Sequence, residues 1–237
     1  MRYILLLTTI IIFWGCKNPK KLILEAEING FHNNETIRLY SDSTYILKRK
    51  YEFDSINNKI LEGKYRLVDD KLFCFGDFDF NGTIKNNFIE SNKEFMKYEI
   101  INSQISLKPK IDFKKFPTYT AFTFNKIKGA YHFEENSIPY DLTENDLLKI
   151  DSILPHCLNK TKYFEGMKHA NNYSKQCIAT LNEKGEVQVW VNCACSGIAK
   201  NLFKYYTSNT NDGGHCYFKL KVNLNTLECF DVFVNGY

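Results

Sequence analysis

The pattern of apolar and polar residues changes three times along the chain. A hydrophobic run from Ile4 to Trp14 comes first. From Leu22 to Pro109, apolar residues alternate with polar ones over short stretches separated by polar turns, which is typical of half-buried β-strands. A helical period then appears after residue 140, and a second alternating region follows it. This order predicts strands, one main helix and further strands.

The first alternating region predicts an antiparallel β-meander. Its clearest hairpin is KYRLVDDKLFCF, in which Asp69 and Asp70 separate two β-prone runs, and the tripeptide GKY that opens it resembles the entry of lipocalin-like meanders. Further strands are expected at Ile84 to Glu90 and at Phe95 to Ile101. Regular strand spacing without a helix predicts a lipocalin-like sheet or an open barrel over residues 22–108.

One later segment, Leu142 to Asn159, predicts an amphipathic helix. Its apolar stripe at helical spacing consists of Leu147, Ile150, Leu154 and Cys157. Thr143, followed three residues later by Asp146, resembles a capping box with Asp in place of Glu. Pro155 lacks the N–H group and crowds the preceding turn, so it is expected to kink or shorten this helix.

Two runs after the helix each present one apolar face of a strand. The first face consists of Val187, Val189, Val191, Cys193 and Cys195, and the second of Cys216, Phe218, Leu220, Val222 and Leu224. Three or four antiparallel strands covered by the helix would make an α+β domain over residues 109–237, after a basic stretch with prolines. The whole chain is therefore expected to be α+β.

The first fifteen residues are typical of a signal peptide. The hydrophobic run of eleven residues, Ile4 to Trp14, is too short for a helix across a bilayer, which needs about 20. The sequence Phe13-Trp14-Gly15-Cys16 resembles a bacterial lipobox, although Leu is commonest where Phe13 stands and Trp14 is bulky. The resemblance implies cleavage before Cys16 and acylation of that cysteine. The alternative is an ordinary secretory signal cut nearby, with Cys16 an incidental thiol.

Acyl chains on Cys16 would hold the protein on a membrane, with residues 16–21 as a tether. Two or more chains give stable anchoring, and no later stretch of the sequence approaches about 18 uninterrupted apolar residues. The residue after Cys16 is Lys and not the Asp of retained inner-membrane lipoproteins. The outer membrane, with the protein facing the periplasm, is therefore the expected location.

The last quarter of the chain carries a distinctive pattern. The strings WVNCACSG and DGGHCYFKLKVNL, with a closing VNG, resemble the C-terminal part of uncharacterised small lipoproteins of Gram-negative bacteria. The shared pattern is Asn-Cys-x-Cys, then Asp-Gly-Gly-x-Cys-Tyr-Phe, then Val-Asn-Leu, over roughly residues 173–237. The resemblance supports the predicted location in the cell envelope and the predicted fold, and it implies no activity.

Eight cysteines and an exported address predict disulfide bonds. If Cys16 is acylated, an odd number remains, so at least one thiol is free or intermolecular. Cys195 and Cys216 are the favoured pair, because adjacent strands bring facing Cα atoms within bridging distance and the bond would close a loop of about 20 residues. Cys193 is then expected to meet Cys157 on the helix.

A metal site is the rival interpretation of these cysteines. Cys193, Cys195, His215 and Cys216 together offer three thiolates and one imidazole, which is a suitable donor set for zinc. The CxC and HC spacings depart from the usual ligand knuckles, and the alternating cysteines face an apolar surface, so disulfides are favoured. A Cys-x-x-Cys redox motif is absent from the sequence, and no metal or other cofactor is predicted.

No catalytic signature stands out in the sequence. H-E-x-x-H, Gly-x-Ser-x-Gly and phosphate-binding Gly-rich motifs are all missing. His132 lies beside Glu134 and Glu135, and a solvated strand end explains this arrangement better than acid–base chemistry. Four aromatic residues fit either a pocket or ordinary core packing: Tyr205, Tyr206, Tyr217 and Phe218.

The sequence favours a binding or interaction role at the cell envelope. A net charge of +4 is too small to predict nucleic-acid binding. A small molecule or an envelope component is expected on the concave face of the meander. The alternative is an inhibitor or immunity-type lipoprotein that blocks a protein partner through a surface patch. A metal- or thiol-dependent enzyme using residues 193–216 is the least favoured hypothesis.

Overall fold

The structure is a computed structural model of the 237-residue chain, and it describes residues 19–30, 32–53, 56, 58–93, 96–126, 133–159, 170–196, 200–208 and 210–236. Cys16 and His132 lie outside the described residues. The acylation of Cys16 and the assignment of His132 to a strand end therefore stay predictions.

Eight antiparallel strands form a closed barrel in the N-terminal half. They are β1 Leu22–Asn29, β2 Asn33–Tyr40, β3 Thr44–Tyr51, β4 Lys59–Val68, β5 Lys71–Gly76, β6 Phe80–Lys85, β7 Phe88–Ser91 and β8 Lys97–Ser103. Consecutive strands pair with each other, and β8 also pairs with β1, where Ser103 lies opposite Leu24. The predicted β-meander is confirmed, and this last pairing makes it a closed barrel rather than an open one.

The turns of the barrel follow from its local sequence. Asp69 and Asp70 join β4 to β5, as predicted. The stretch expected to be one strand from Ile84 to Glu90 is instead a hairpin, because Asn86 and Asn87 take positive φ angles of 49° and 63°. Asparagine tolerates this left-handed conformation, and two such residues in succession give the turn type that suits a two-residue hairpin.

Side chains fill the interior of the barrel. The rings of Phe80 and Tyr98 meet edge to face there, with their centroids 5.7 Å apart. The Glu35 carboxylate accepts hydrogen bonds from the Tyr98 hydroxyl at 2.7 Å and from Nε of Arg49 at 3.1 Å. An eight-stranded barrel is just wide enough for such side chains to occupy. The concave face expected to bind a ligand is thus packed with the protein's own core.

Six strands form a second sheet in the C-terminal half. They are β9 Tyr119–Thr123, β10 Ile138–Pro139, β11 Tyr173–Leu181, β12 Val187–Cys195, β13 Tyr217–Asn223 and β14 Glu228–Val234. The order is β10-β11-β12-β13-β14, and β9 pairs with the same edge of β11 as β10 does. The expected sheet was smaller and wholly antiparallel, whereas β9 runs parallel to β11. Parallel neighbours need a long crossover connection, which the helix between these strands supplies.

Helix α1, Glu144–Asn159, packs on one face of this sheet. The predicted apolar stripe is buried, and the predicted capping box is present. The Thr143 N–H donates to Oδ2 of Asp146 at 2.9 Å, and the Asp146 N–H donates to Oγ1 of Thr143 at 3.3 Å. The helix continues past Pro155 to its end at Asn159.

Two disulfides brace the second sheet. Cys195–Cys216 joins the end of β12 to the start of β13, as predicted. The expected bond between Cys157 and Cys193 is wrong, because Cys157 pairs with Cys229 on the outer strand β14, against which α1 packs. Cys193 lies further inside the sheet, in register with Lys175 and Phe218 on its two neighbouring strands.

The loop closed by Cys195–Cys216 carries helix α2, Lys200–Tyr205, and this helix joins the sheet to the barrel. Tyr205 is 3% exposed and belongs to the core cluster of the barrel. Lys204 forms an ion pair with Glu99 on β8. Asn33 donates a hydrogen bond to the Tyr206 hydroxyl at 3.0 Å. This disulfide-closed loop is therefore one of the connections between the two halves of the molecule.

Candidate functional site

A cleft of about 670 Å³ lies where the barrel meets the sheet. Its walls come from β6 and β7, from residues 105–110 after the barrel, and from the end of β9. Small-molecule sites occupy about 300–1,000 Å³ and occur preferentially between domains. Volume and position therefore make this junction cleft the candidate site.

Asp141 lies between two lysines of the junction cleft. Lys85 on β6 donates to one carboxylate oxygen, and Nζ of Lys110 donates to the other at 3.1 Å. Partial burial raises the pKa of Asp141, but the hydrogen bonds and charges of the two lysines outweigh burial and bring this pKa below its ordinary value. Asp141 is therefore ionised at neutral pH, and it ties the barrel to the chain that leads into α1.

Glu90 makes a second tie across the junction cleft. One of its carboxylate oxygens accepts from the Thr123 N–H at 2.6 Å, and the other accepts from the Thr123 hydroxyl at 2.9 Å. Lys85 also donates to this hydroxyl, at 3.2 Å. These bonds hold β7 of the barrel against the end of β9, so the walls of the cleft are fixed before any ligand enters.

Three other charged groups of the cleft are free to meet a ligand. Lys108 follows the barrel, and Asp69 and Asp70 form the β4–β5 turn; all three line the cleft. Their side chains make no hydrogen bond or ion pair with another described residue. The cleft thus offers an ammonium group and two carboxylates from separate segments of the chain.

Lys97 is buried inside the junction, where its surroundings are aromatic. Its side chain is 1% exposed, and Nζ lies 4.0, 4.5 and 5.5 Å from the ring centroids of Phe88, Phe122 and Phe113. Nζ donates to the backbone oxygen of Ala121 at 2.9 Å, and within the described part of the chain it forms no ion pair. Burial lowers the pKa of Lys97 to about 7, while ring faces favour its charged form.

A smaller cleft of about 380 Å³ lies beside Phe88 and Phe113. Lys175, which is 1% exposed, reaches it, and its Nζ lies 3.7 Å from the Asp151 carboxylate on α1. The Tyr119 hydroxyl donates to the same carboxylate at 2.5 Å, and burial raises the pKa of Tyr119 far above its usual value. Since these groups satisfy one another, we assign them to the packing of α1 on the sheet.

The cysteine and histidine set considered for zinc is not assembled as a metal site. Cys195 and Cys216 are bonded to each other, and Cys193 is buried in the core. Among the described residues, no group of three or more metal-ligating side chains converges.

Three cysteines of the described chain are unpaired and buried: Cys74, Cys177 and Cys193. Burial raises the pKa of Cys74 and of Cys177 to about 12, and it raises that of Cys193 as well. The nucleophilic form of cysteine is the thiolate. These thiols therefore behave as apolar core groups at neutral pH, which disfavours the thiol-dependent enzyme.

The aromatic residues singled out in the sequence take part in packing. Tyr205 contributes to the barrel core, and Phe218 packs under α1 with its ring edge to face against Tyr173. Tyr217 packs against Phe203 of α2, and Tyr206 joins the junction. The sequence did not reveal the residues of the junction cleft, because they come from strands and turns far apart in the chain. The basic stretch at residues 108–115 was the only local signal.

No described helix has the length and apolar character that a membrane crossing requires. Comparison of the chain with protein-family models, with curated proteins and with solved structures finds no match.

Proposed function

We propose that this protein is a lipid-anchored envelope protein that binds a small zwitterionic ligand in the junction cleft. The observation that carries the proposal is the division of charged groups in that cleft. Lys85, Lys110 and Asp141 are tied to each other, whereas other cleft residues of both signs are free. A ligand with a carboxylate and an amine would pair with the free groups, and each charge-assisted hydrogen bond is worth about 1.5–3 kcal/mol.

The cell-envelope address rests on the N-terminal sequence and is supported by the disulfides. Disulfides persist in exported proteins and are rare in the cytosol. The proposal expects the mature chain to begin at Cys16 and to carry acyl groups there. Mass spectrometry of the protein purified from the envelope tests this directly, with a Cys16→Ser variant as the unacylated control. An intact Met1 on soluble protein would refute the anchor.

Calorimetric titration tests the ligand class. The probe is tetra-alanine, which carries both terminal charges, and the matched control is tetra-alanine with acetylated and amidated ends. We expect the charged peptide to bind and the blocked peptide to fail. Two equal affinities, or no binding of either peptide, would refute a zwitterion site.

Variants then place the binding in the cleft. Lys108→Gln with Asp70→Asn removes one free charge of each sign, and we expect at least about a tenfold loss of affinity, because a lost charged hydrogen bond costs about 1.5 kcal/mol or more. The matched control is Lys184→Gln with Glu183→Gln, in the exposed loop between β11 and β12, and it should bind as the parent does. Equal losses of affinity in the cleft variant and in the control variant would show that the ligand binds elsewhere.

A further inference from the structure

The outer face of strands β3 to β5 forms a basic strip on the barrel. Its exposed cations are Lys48, Lys50, Lys64, Arg66 and Lys71. Glu62 is the only acidic residue in these three strands. On the neighbouring strand β2, by contrast, Arg38 is neutralised by Glu25 at 2.6 Å. The strip therefore keeps a concentrated positive charge on one side of the molecule.

Apolar side chains alternate with these cations across the strands. The cross-strand pairs are Lys48 with Ile60, Lys64 with Phe75, Arg66 with Phe73, and Lys71 with Val68. Three of the apolar partners are substantially exposed: Ile60 at 63%, Phe75 at 49% and Val68 at 45%. Phe53, two residues after the end of β3, is 79% exposed, and its ring lies against His32 with the centroids 5.0 Å apart. Four of the five cations on the strip thus have an exposed or half-exposed apolar neighbour, and Lys50 lies opposite Asn34.

This alternation suits the boundary between lipid headgroups and acyl chains. A lysine can lay its methylene stem along an apolar surface while its ammonium group meets a phosphate. Each cation near an anionic lipid surface contributes about 1 kcal/mol, and aliphatic groups gain further from leaving water. A soluble polyanion would use the charges but would leave Ile60 and Val68 in water, so a lipid surface fits better.

The start of the barrel places this strip close to the anchor. Nζ of Lys20 lies 3.2 Å from the Asp42 carboxylate, in the turn that leads into β3. Four residue steps separate Lys20 from Cys16, and an extended chain covers about 14 Å in that distance. An acylated Cys16 would therefore hold this end of the barrel near the bilayer.

We propose that the basic strip docks on an anionic phospholipid surface and lays the barrel on its side against the membrane. This inference rests on the proposed lipid anchor for its geometry. The test of the inference does not depend on the anchor, because the strip should bind lipid even when Cys16 and its acyl chains are absent. The probe protein is the soluble chain 17–237, which contains every described residue and both disulfides.

Co-sedimentation with vesicles measures the docking. The vesicles contain phosphatidylcholine alone, or equal parts of phosphatidylcholine and phosphatidylglycerol. We expect binding to the anionic vesicles, weakening as salt rises, and little binding to the neutral ones. Lys48→Glu with Lys64→Glu should weaken binding at least about 30-fold. The control, Lys93→Glu with Lys184→Glu, makes the same charge change at exposed lysines off the strip and should have much less effect.

Apolar variants separate a lipid surface from other occupants. Ile60→Ser with Phe75→Ser should weaken vesicle binding about tenfold or more and leave the charge unchanged. Equal binding of parent and apolar variant would point to a soluble polyanion and overturn the proposal. Equal loss in the strip and control charge variants would also overturn it. Unfolding curves of all variants must match the parent. Finding Cys16 unmodified in the native protein would refute only the lipid anchor, because the vesicle results are obtained with a chain that lacks Cys16.

Discussion

Replacing Lys97 by Met tests whether the buried charge of Lys97 destabilises the junction between the barrel and the sheet. Met has a similar length and an apolar, flexible side chain, so it can occupy the space among the three rings without an ammonium group. The pH dependence of unfolding distinguishes this effect from simple repacking.

The direction of the pH dependence of stability follows from the number of protons that the folded and unfolded states bind. Burial lowers the pKa of Lys97 from 10.5 to about 7 in the folded protein. Between these pH values the unfolded chain holds the proton and the folded protein does not, so stability rises with pH over that window. Below about pH 7 both states are charged and the folded protein bears the full cost of burial. Each pKa unit corresponds to about 1.4 kcal/mol, which gives an upper limit of about 5 kcal/mol.

The variant should therefore be the more stable protein at low pH. Losing the hydrogen bond to the Ala121 carbonyl costs about 1–2 kcal/mol. At about pH 6 the net gain of Lys97→Met should then be as much as about 3 kcal/mol, and by about pH 9.5 it should vanish or reverse.

Urea unfolding at several pH values between about 6 and 9.5 measures this difference, since carboxylates and most tyrosines do not titrate there. Lys184→Met is the control, because Lys184 is exposed in a hairpin loop and should leave the pH profile unchanged. If the unfolding free energy of Lys97→Met rises with pH as steeply as that of the parent, Lys97 is not the source of the pH dependence. A variant less stable than the parent at pH 6 would show that the three rings fully compensate its charge.

Three further predictions address the disulfides, the helix cap and the free thiols. Cys195→Ser opens a loop spanning 21 residues of sequence separation and should cost about 3 kcal/mol of unfolding free energy in urea; a loss under about 1 kcal/mol would contradict the role given to this bond. Asp146→Ala removes the capping box and should lower stability by about 1–2 kcal/mol, with Asp146→Asn losing less; equal losses would rule out the cap as the cause. Iodoacetamide should label no thiol of the folded soluble chain and three after denaturation, and rapid labelling of the native protein would contradict the burial of Cys74, Cys177 and Cys193.

Features specified by neighbouring residues could be predicted from the sequence. The Asp69–Asp70 hairpin, the Thr143–Asp146 cap and the Cys195–Cys216 bond each depend on residues close in the chain or on adjacent strands. Their geometry is set by turn chemistry and by strand alternation, both of which are visible locally. The Asn86–Asn87 turn had the same local basis, although the stretch from Ile84 to Glu90 was expected to be a single strand.

Features that depend on packing between distant segments could not be predicted. Strand alternation places Lys97 on the outside of the barrel, and nothing near it in sequence shows that Phe122 of another sheet will cover it. The partner of Cys157 likewise depends on where α1 crosses the sheet, which brings it to Cys229. The candidate cleft is of the same kind, since Lys85 meets Asp141 only once both halves are folded.

The parallel pairing of β9 with β11 sets the order in which the protein can assemble. All eight barrel strands lie within residues 22–103, and apart from the closing pair β1–β8 they pair with their sequential neighbours, whereas Tyr119 must wait for Lys175. Local contacts form fast and distant ones slowly, and chains fold from the N-terminus as they are made. During synthesis or export there is thus a stage at which all strands of the barrel are present while β9 is still unpaired. Chaperones and proteases that act on nascent chains will meet β9, and they will meet it before any cysteine bond has closed.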